Sequence, residues 1–245
     1  MLTVTTSWDD GDVLDLKLAN LLDRYNIKGT FYVAKEYRKK RLSDEEIKTL
    51  SHKHEIGAHT LTHPDLCTLS PADQMAEISG SKKWLEGVLG HDVSMFCYPS
   101  GRYDKYSVQA VKEAGFRGAR TVEFGHIDLP SDAYRMPTTL HVYPMPFRKT
   151  GPHSYWWGKL LEPFVQRSST LRAMGVPLSA FRSFEVTACA AFDIAIKRGK
   201  VFHLWGHSWE IEKYNMWRPL ERVLSYIGKR DDCQYVTNGE LIQRI

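Results

Sequence analysis

Apolar positions along the first 120 residues recur with two periods in alternation. Short runs rich in β-branched and aromatic side chains, Leu2 to Ser7, Lys28 to Ala34, Glu55 to Ala58, Val93 to Tyr98 and Phe116 to Arg120, read as strands. Between them the apolar residues fall on single helical faces. Leu14, Leu18, Leu21, Leu22 and Tyr25 form one, and Met75, Ile78, Leu85, Val88 and Leu89 form the buried stripe of a longer helix. Boundary residues agree with that reading. Ser43 with Glu46 makes a capping box for a short helix ending near His52, and Ser70-Pro71 with Asp73 opens the longer one. Gly115 stops a helix that begins near Tyr106. Beyond His141 the pattern weakens, with prolines at 144, 146, 152, 163 and 177 and the cluster Tyr155, Trp156, Trp157. It returns as a helix from Thr187 to Lys197, a strand from Lys200 to Trp205, a helix from Met216 to Ile227, a strand around Gln234 to Val236, and a last helix capped by Asn238.

Repeated βα units predict a parallel sheet with helices outside, open or closed into a barrel, and 245 residues suit a single α/β barrel domain. Ligands of such folds sit at the carboxyl ends of the strands. Four segments therefore carry the candidate chemistry: Asp9-Asp10-Gly11, His59 to His63, Tyr98-Pro99-Ser100-Gly101, and Gly206-His207.

With 42% hydrophobic and 25% charged residues the chain can bury a full core, which excludes a disordered protein. The net charge of +4 is local, because six basic and two acidic residues lie between His141 and Glu185 and the rest is neutral. That balance excludes a global nucleic-acid binder. No apolar run of about 18 residues predicts a transmembrane helix. The polar Ser7-Trp8-Asp9-Asp10-Gly11 arrives before an apolar signal region could form, so the chain reads as cytoplasmic. Cys67, Cys97, Cys189 and Cys233 are scattered, as expected of reduced thiols in core positions.

His59-Thr60-Leu61-Thr62-His63 sets two imidazoles at a spacing that lets them point to one side of a helical turn and bind one metal ion. Such a spacing also arises by chance in a chain with ten histidines. Thr60 stands where a zincin would have its glutamate, so any base must come from elsewhere. Asp9-Asp10 is the obvious source: adjacent carboxylates at a strand terminus diverge, so one can bind metal while the other takes a proton. Alone, the pair with Gly11 reads as an ordinary turn. Coincidence of place joins the two motifs, since the third ligand for a catalytic zinc appears at the same end of the same sheet and leaves a position for water. His207, just past a strand end, is suited to protonate a leaving group because its ordinary pKa is near neutrality. His203 shares its face parity and is the rival, and a core histidine bonded to backbone is the bland reading of either.

The ordered set Ser-Trp-Asp-Asp-Gly, His-Thr-Leu-Thr-His, Phe96-Cys97-Tyr98-Pro99-Ser100-Gly101 and Leu-Trp-Gly-His resembles the polysaccharide deacetylase family, also called carbohydrate esterase family four, from about residue 3 to 240. The resemblance implies a distorted (β/α) barrel of about seven strands, one divalent metal ion, most often zinc, and removal of an acetyl group from an acetamido sugar by metal-activated water. It implies Asp9 as general base, Asp10, His59 and His63 as metal ligands, and His207 as general acid. The backbone N–H of Ser100 would hold the oxyanion, Tyr98, Pro99 and Gly101 would lie beside the substrate, and Trp205 would wall the acetyl methyl group.

Two features depart from the family pattern. Many members have Arg-x-Pro-Tyr where this chain has Cys97-Tyr98-Pro99-Ser100, so the arginine that pairs with the base is missing; Arg102, Arg120 and Arg135 are the candidates to replace it. Without a cation the pKa of Asp9 would rise. The second departure is the aromatic, basic stretch at about 141–185, read either as extra helices covering one end of the barrel or as a sugar-stacking wall with Trp156 and Trp157. On the second view its cations would meet an acetylated amino sugar linked to a nucleotide or lipid diphosphate, a precursor of a surface glycan such as O-antigen. The alternatives are a related amidohydrolase opening a cyclic amide or ureide, and a non-catalytic glycan-binding protein.

Overall fold

The computed structural model describes residues 1–148, 157–198 and 200–245, with backbone only for 157–159. In chain order its elements are β1 (Leu2–Asp9), α1 (Asp15–Arg24), β2 (Thr30–Val33), α2 (Asp44–Ser51), β3 (Glu55–Ala58), α3 (Pro71–Leu89), β4 (Met95–Cys97), α4 (Lys105–Glu113), β5 (Gly118–Arg120), β6 (Leu140–His141), α5 (Trp157–Met174), α6 (Phe184–Arg198), β7 (Val201–Gly206), α7 (Ser208–Lys213), α8 (Trp217–Ile227), β8 (Cys233–Tyr235) and α9 (Asn238–Ile242). Seven strands follow the path β5-β4-β3-β2-β1-β7-β6, and β8 pairs with the start of β1 below β2. Every ladder is parallel, and β1 is buried along its whole length because it lies between β7 on one side and β2 with β8 on the other. The path curls into a distorted (β/α) barrel, one domain. Its gap is spanned by a single ribbon in which Met136 bridges Arg120 of β5, while Leu140 and His141 pair with Leu204 and Trp205 of β7.

Strand alternation gives the barrel two unlike faces. Phe31, Phe96, Phe202 and Leu204 point outward into the main core beneath the helices. Tyr32, Met95, Cys97 and Val201 point inward and pack with Leu241 and Ile242 of α9, which plugs the amino end. Gly57 on β3 makes room there, since a Cβ would meet the Tyr32 ring at 2.5 Å. The same inward parity collects polar side chains toward the carboxyl end. Ser7 bonds His203 Nε2 at 2.8 Å, and Asp9 meets Arg120 above them.

Several boundaries differ from the sequence reading, each for a physical reason. Ser43 and Ser70 cap α2 and α3 as expected. On α3, however, Met75, Val88 and Leu89 are only half-buried, whereas Gln74, Ser81 and Lys82 are buried. Those polar groups find partners: Lys82 reaches Asp92 at 2.8 Å and Gln74 accepts from Ser107 at 2.8 Å. Cys67 is exposed, contrary to the expected core position, while Cys97 and Cys233 are buried. Asn238 is not the last cap. Thr237 closes a capping box with Glu240, and Asn238 lies inside, accepting from Thr5 Oγ1 at 2.8 Å and donating to Tyr32 Oη at 2.9 Å. The stretch where periodicity faded contains α5, which continues through Pro163 at the loss of one ladder hydrogen bond.

Because Asn238 satisfies two buried hydroxyls, Asn238→Ala should destabilise the fold by about 1–3 kcal/mol in urea unfolding. An unchanged midpoint would show that the plug does not depend on it.

Candidate active site

Asp9 ends β1 on its inward face, 3% exposed. The chain then turns through Asp10 at φ 83° and Gly11 at φ 69°, left-handed conformations that Asp tolerates and Gly favours. This turn sends the two carboxylates in different directions. Asp9 Oδ1 accepts from Arg120 Nη2, and Oδ2 lies 3.9 Å from the Cys97 thiol and 4.0 Å from His207 Nε2. Asp10 Oδ2 accepts from Trp209 Nε1 at 2.7 Å, while Oδ1 stands 3.6 Å from both His59 Nε2 and His63 Nε2.

The two histidines do not share a helical turn, as their spacing suggested. They flank an irregular loop in which Thr60 (φ 67°) and His63 (φ 58°) are left-handed, so the rings meet edge to face with centroids 4.7 Å apart. Glu77 of α3 holds the loop by accepting the N–H groups of Leu61 and Thr62, both at 2.9 Å. His59 Nδ1–H donates to the Cys97 carbonyl at 2.8 Å, which turns Nε2 toward Asp10. Tyr37 stacks on His63 at 4.0 Å.

These three residues fit a metal ion. Their ligand atoms lie within 4.8 Å of one another, and Asp10 Oδ1 is buried without a hydrogen-bond partner among the described residues. Burial lowers His59 to about 4, despite the nearby Asp9, and lowers His63, so both rings are neutral with a lone pair to give. A second grouping, Asp9, His59 and Cys97, fits less well, because Arg120 already occupies Asp9 and burial pushes the Cys97 thiol well up.

Arg120 answers the question left by the third motif. It is fully buried against Asp9, whereas Arg102 pairs with Asp65 at 2.9 Å and Arg135 with Asp132 at 3.7 Å. Burial alone would raise the Asp9 pKa. Arg120 first, then His59 and His207, outweighs it and holds the carboxyl below its ordinary value. His207 goes the other way: burial favours the neutral ring, but the Glu210 bond at 2.7 Å to Nδ1, with Asp10 and Asp9 nearby, raises it to about 9. At neutral pH the pair is carboxylate and imidazolium. His203 lies deeper, bonded to Ser7 and to the Pro137 carbonyl, and burial first, with Arg120 adding, lowers it to about 3.

A cavity of about 430 Å³ opens over these groups. Asp9, Asp10, His59, His63 and His207 all border it, as do Tyr98, Ser100, Gly101 and Trp205. Ser100 (φ 55°) and Gly101 (φ 67°) form a left-handed turn, and a Cβ on Gly101 would meet Val122 Cγ2 at 2.1 Å, so glycine is required there. Tyr98 is buried, with its hydroxyl donating to the Tyr134 carbonyl at 3.0 Å. Pro99 is buried and does not border the cavity, because the turn points it into the protein. Trp205 stacks on His141 at 4.1 Å and carries Arg120 on its ring at 4.7 Å. Trp156 lies outside the described residues, and Trp157 opens α5 without a described side chain. The sequence reading missed Glu77, Glu210, His141, Tyr37 and Trp209. Only Glu210 had a signal, three residues after His207 at a helix start.

Glu210→Gln should drop the His207 pKa toward or below 6.5 in ring-proton NMR titrations of metal-free protein. His207 is raised above its unfolded value, so its contribution to stability is complete below about 6.5 and is lost as pH rises through about 9. The variant should lack that alkaline loss; a high pKa retained in it contradicts the assignment.

Comparison with known proteins gives a concordant answer. Residues 2–119 match the family model described as polysaccharide deacetylase. The Bacillus subtilis protein YxkH, whose name places it among polysaccharide deacetylases, is 30% identical over 126 residues, 50% of this chain and 45% of its own, so the chain spans about half the length of the curated relative it matches. A Mycobacterium smegmatis structure named as a polysaccharide deacetylase superposes over 100% of this chain and 90% of that one, with TM-score 0.70 and 14% identity. A family 4 acetyl xylan esterase from Clostridium thermocellum, in complex with a cobalt ion, covers 99% and 91%, with TM-score 0.60 and 17% identity. With the βα half-barrel, the Asp-Asp turn and the two histidines at strand ends, residues 2–119 carry the similarity of this chain to the polysaccharide deacetylase family.

Proposed function

We propose that this protein is a metal-dependent hydrolase that removes the acetyl group from an acetamido sugar, with zinc as the expected ion. The observation that carries the reading is the approach of Asp9 Oδ2 to His207 Nε2, 4.0 Å apart, beside the cluster Asp10, His59 and His63. A divalent ion held by those three residues would supply Lewis-acid polarisation of the acetyl carbonyl and acidify a water molecule. Asp9 borders the cavity with one oxygen engaged by Arg120, and the other, Oδ2, takes the proton of the attacking water. Arg120 keeps Asp9 unprotonated beforehand. His207 carries its proton on Nε2 at the same cavity and delivers it to the departing sugar nitrogen, with Glu210 fixing the ring through Nδ1. The Ser100 N–H is assigned to the oxyanion and the Trp205 face to the acetyl methyl group.

In this reading the residues at about 141–185 serve as a cover, and the substrate is a nucleotide- or lipid-diphosphate-linked precursor of a surface glycan such as O-antigen, met in the cytoplasm. Support comes from α5, whose Gln166 and Arg167 border the cavity. Arg148 offers less, since it is tied to Glu162 and to the Tyr143 hydroxyl, both at 2.6 Å. The cyclic-amide alternative loses its motive once Arg120 supplies the arginine absent from the third motif.

The purified protein should hold about one divalent ion per chain by elemental analysis. Asp10→Ala and His63→Ala should lose it; retention in both contradicts the ligand set. Asp9→Asn should hold the ion normally yet release acetate about 10²–10⁴-fold more slowly. Wild-type-like acetate release from that variant would remove Asp9 from the mechanism.

A further inference from the structure

Arg167 borders the catalytic cavity from α5. Its guanidinium lies over the Tyr143 ring at 4.7 Å and reaches His141 Nδ1 at 3.5 Å. Nη1 is buried with no hydrogen-bond partner among the described residues, and no described carboxylate comes within 4.0 Å of the side chain. Residues 149–156 and Gly199 contain no Asp or Glu, so no carboxylate of the undescribed segments can serve either. The nearest acids are committed elsewhere: Glu162 to Arg148 at 2.6 Å, and Glu210 to His207 at 2.7 Å with His141 at 3.2 Å. A cation in this state has lost much of its hydration without gaining a counter-ion, an arrangement that costs free energy until an anion arrives. The aromatic contact with Tyr143 holds the guanidinium ready meanwhile.

We infer that Arg167 recognises an anionic group, a phosphate or a carboxylate, carried on the amino sugar itself. Its place in the cavity brings it within reach of the substrate. His141 touches Arg167 on one side and shares Glu210 with His207 on the other, and the His141 and His207 ring centroids are 5.7 Å apart. His141 stacks equally on Trp205, so the assignment to the sugar comes from charge: on the deacetylase reading the acyl part is an uncharged acetyl group, and an anion that meets Arg167 in this cavity is carried by the sugar. One guanidinium, with its planar fork, matches one such group. This inference rests on the deacetylase reading for the identity of the ligand as a sugar, and the test avoids turnover so that the two can fail separately.

The test titrates wild-type protein, Arg167→Gln and Arg167→Lys, by calorimetry, with three deacetylated products: a 2-amino sugar neutral apart from the ammonium that all three share, its 1-phosphate and its uronic acid. Wild type should bind at least one anionic form about tenfold or more tightly than the neutral one. The arm that shows it identifies phosphate or carboxylate. Arg167→Gln should bind neutral and anionic forms alike, and Arg167→Lys should keep part of the preference. No preference in wild type, or an undiminished one in Arg167→Gln, overturns the inference. Anion preference without acetate release from the acetylated counterparts supports the Arg167 assignment and sinks only the hydrolase reading; acetate release without anion preference does the reverse.

Discussion

The arrangement turns on one buried ion pair. Asp9 and Arg120 meet inside the barrel, both almost wholly withdrawn from water. Taking two such ions out of water costs several kcal/mol each, and their attraction repays it only with good geometry and further partners. The barrel provides these. Arg120 lies between the Trp205 ring at 4.7 Å and the Tyr32 ring at 5.4 Å, while Asp9 takes the Arg120 donor on one oxygen and faces Cys97 and His207 with the other. Removing either partner would strand the other, which binds the catalytic end of β1 to β5 across the barrel.

That pair also sets the electrostatic division of the site. With Arg120 behind it, Asp9 stays a carboxylate, while the Glu210 hydrogen bond first, then the charges of Asp10 and Asp9, keep His207 an imidazolium. His59, a short distance away but buried and bonded to a backbone carbonyl, stays neutral. Three groups that would otherwise titrate within a few pH units are thus separated into carboxylate, imidazolium and neutral imidazole by burial and by the order of their neighbours. The turn at Asp10-Gly11 makes the separation possible, because extended backbone would have carried Asp10 to the outer face of β1.

Local patterns exposed much of this in the sequence and three-dimensional ones did not. The strands, the capping box at Ser43, the N-cap at Ser70 and the strand-end rule placed the four motifs at one end of the sheet, and the structure brings them together there. The role of Arg120 was open among three arginines because its partner lies 111 residues away in the chain, joined only by barrel closure. The spacing of His59 and His63 suggested a helical turn, but two left-handed residues, which periodicity does not register, make it a loop. Asn238 looked like a cap because its residue type favours caps, and tertiary partners at Thr5 and Tyr32 claimed it instead. Pro163 hid α5, whose Arg167 borders the cavity.

Arg120 keeps Asp9 ionised. The most direct measurement is the pKa of Asp9, from carboxyl-carbon NMR titration of wild type and of Arg120→Gln. Wild type should show a value below the ordinary 3.8, and the variant a rise above it, as burial is left unopposed by the guanidinium. An Asp9 that titrates alike in the two proteins would contradict the account.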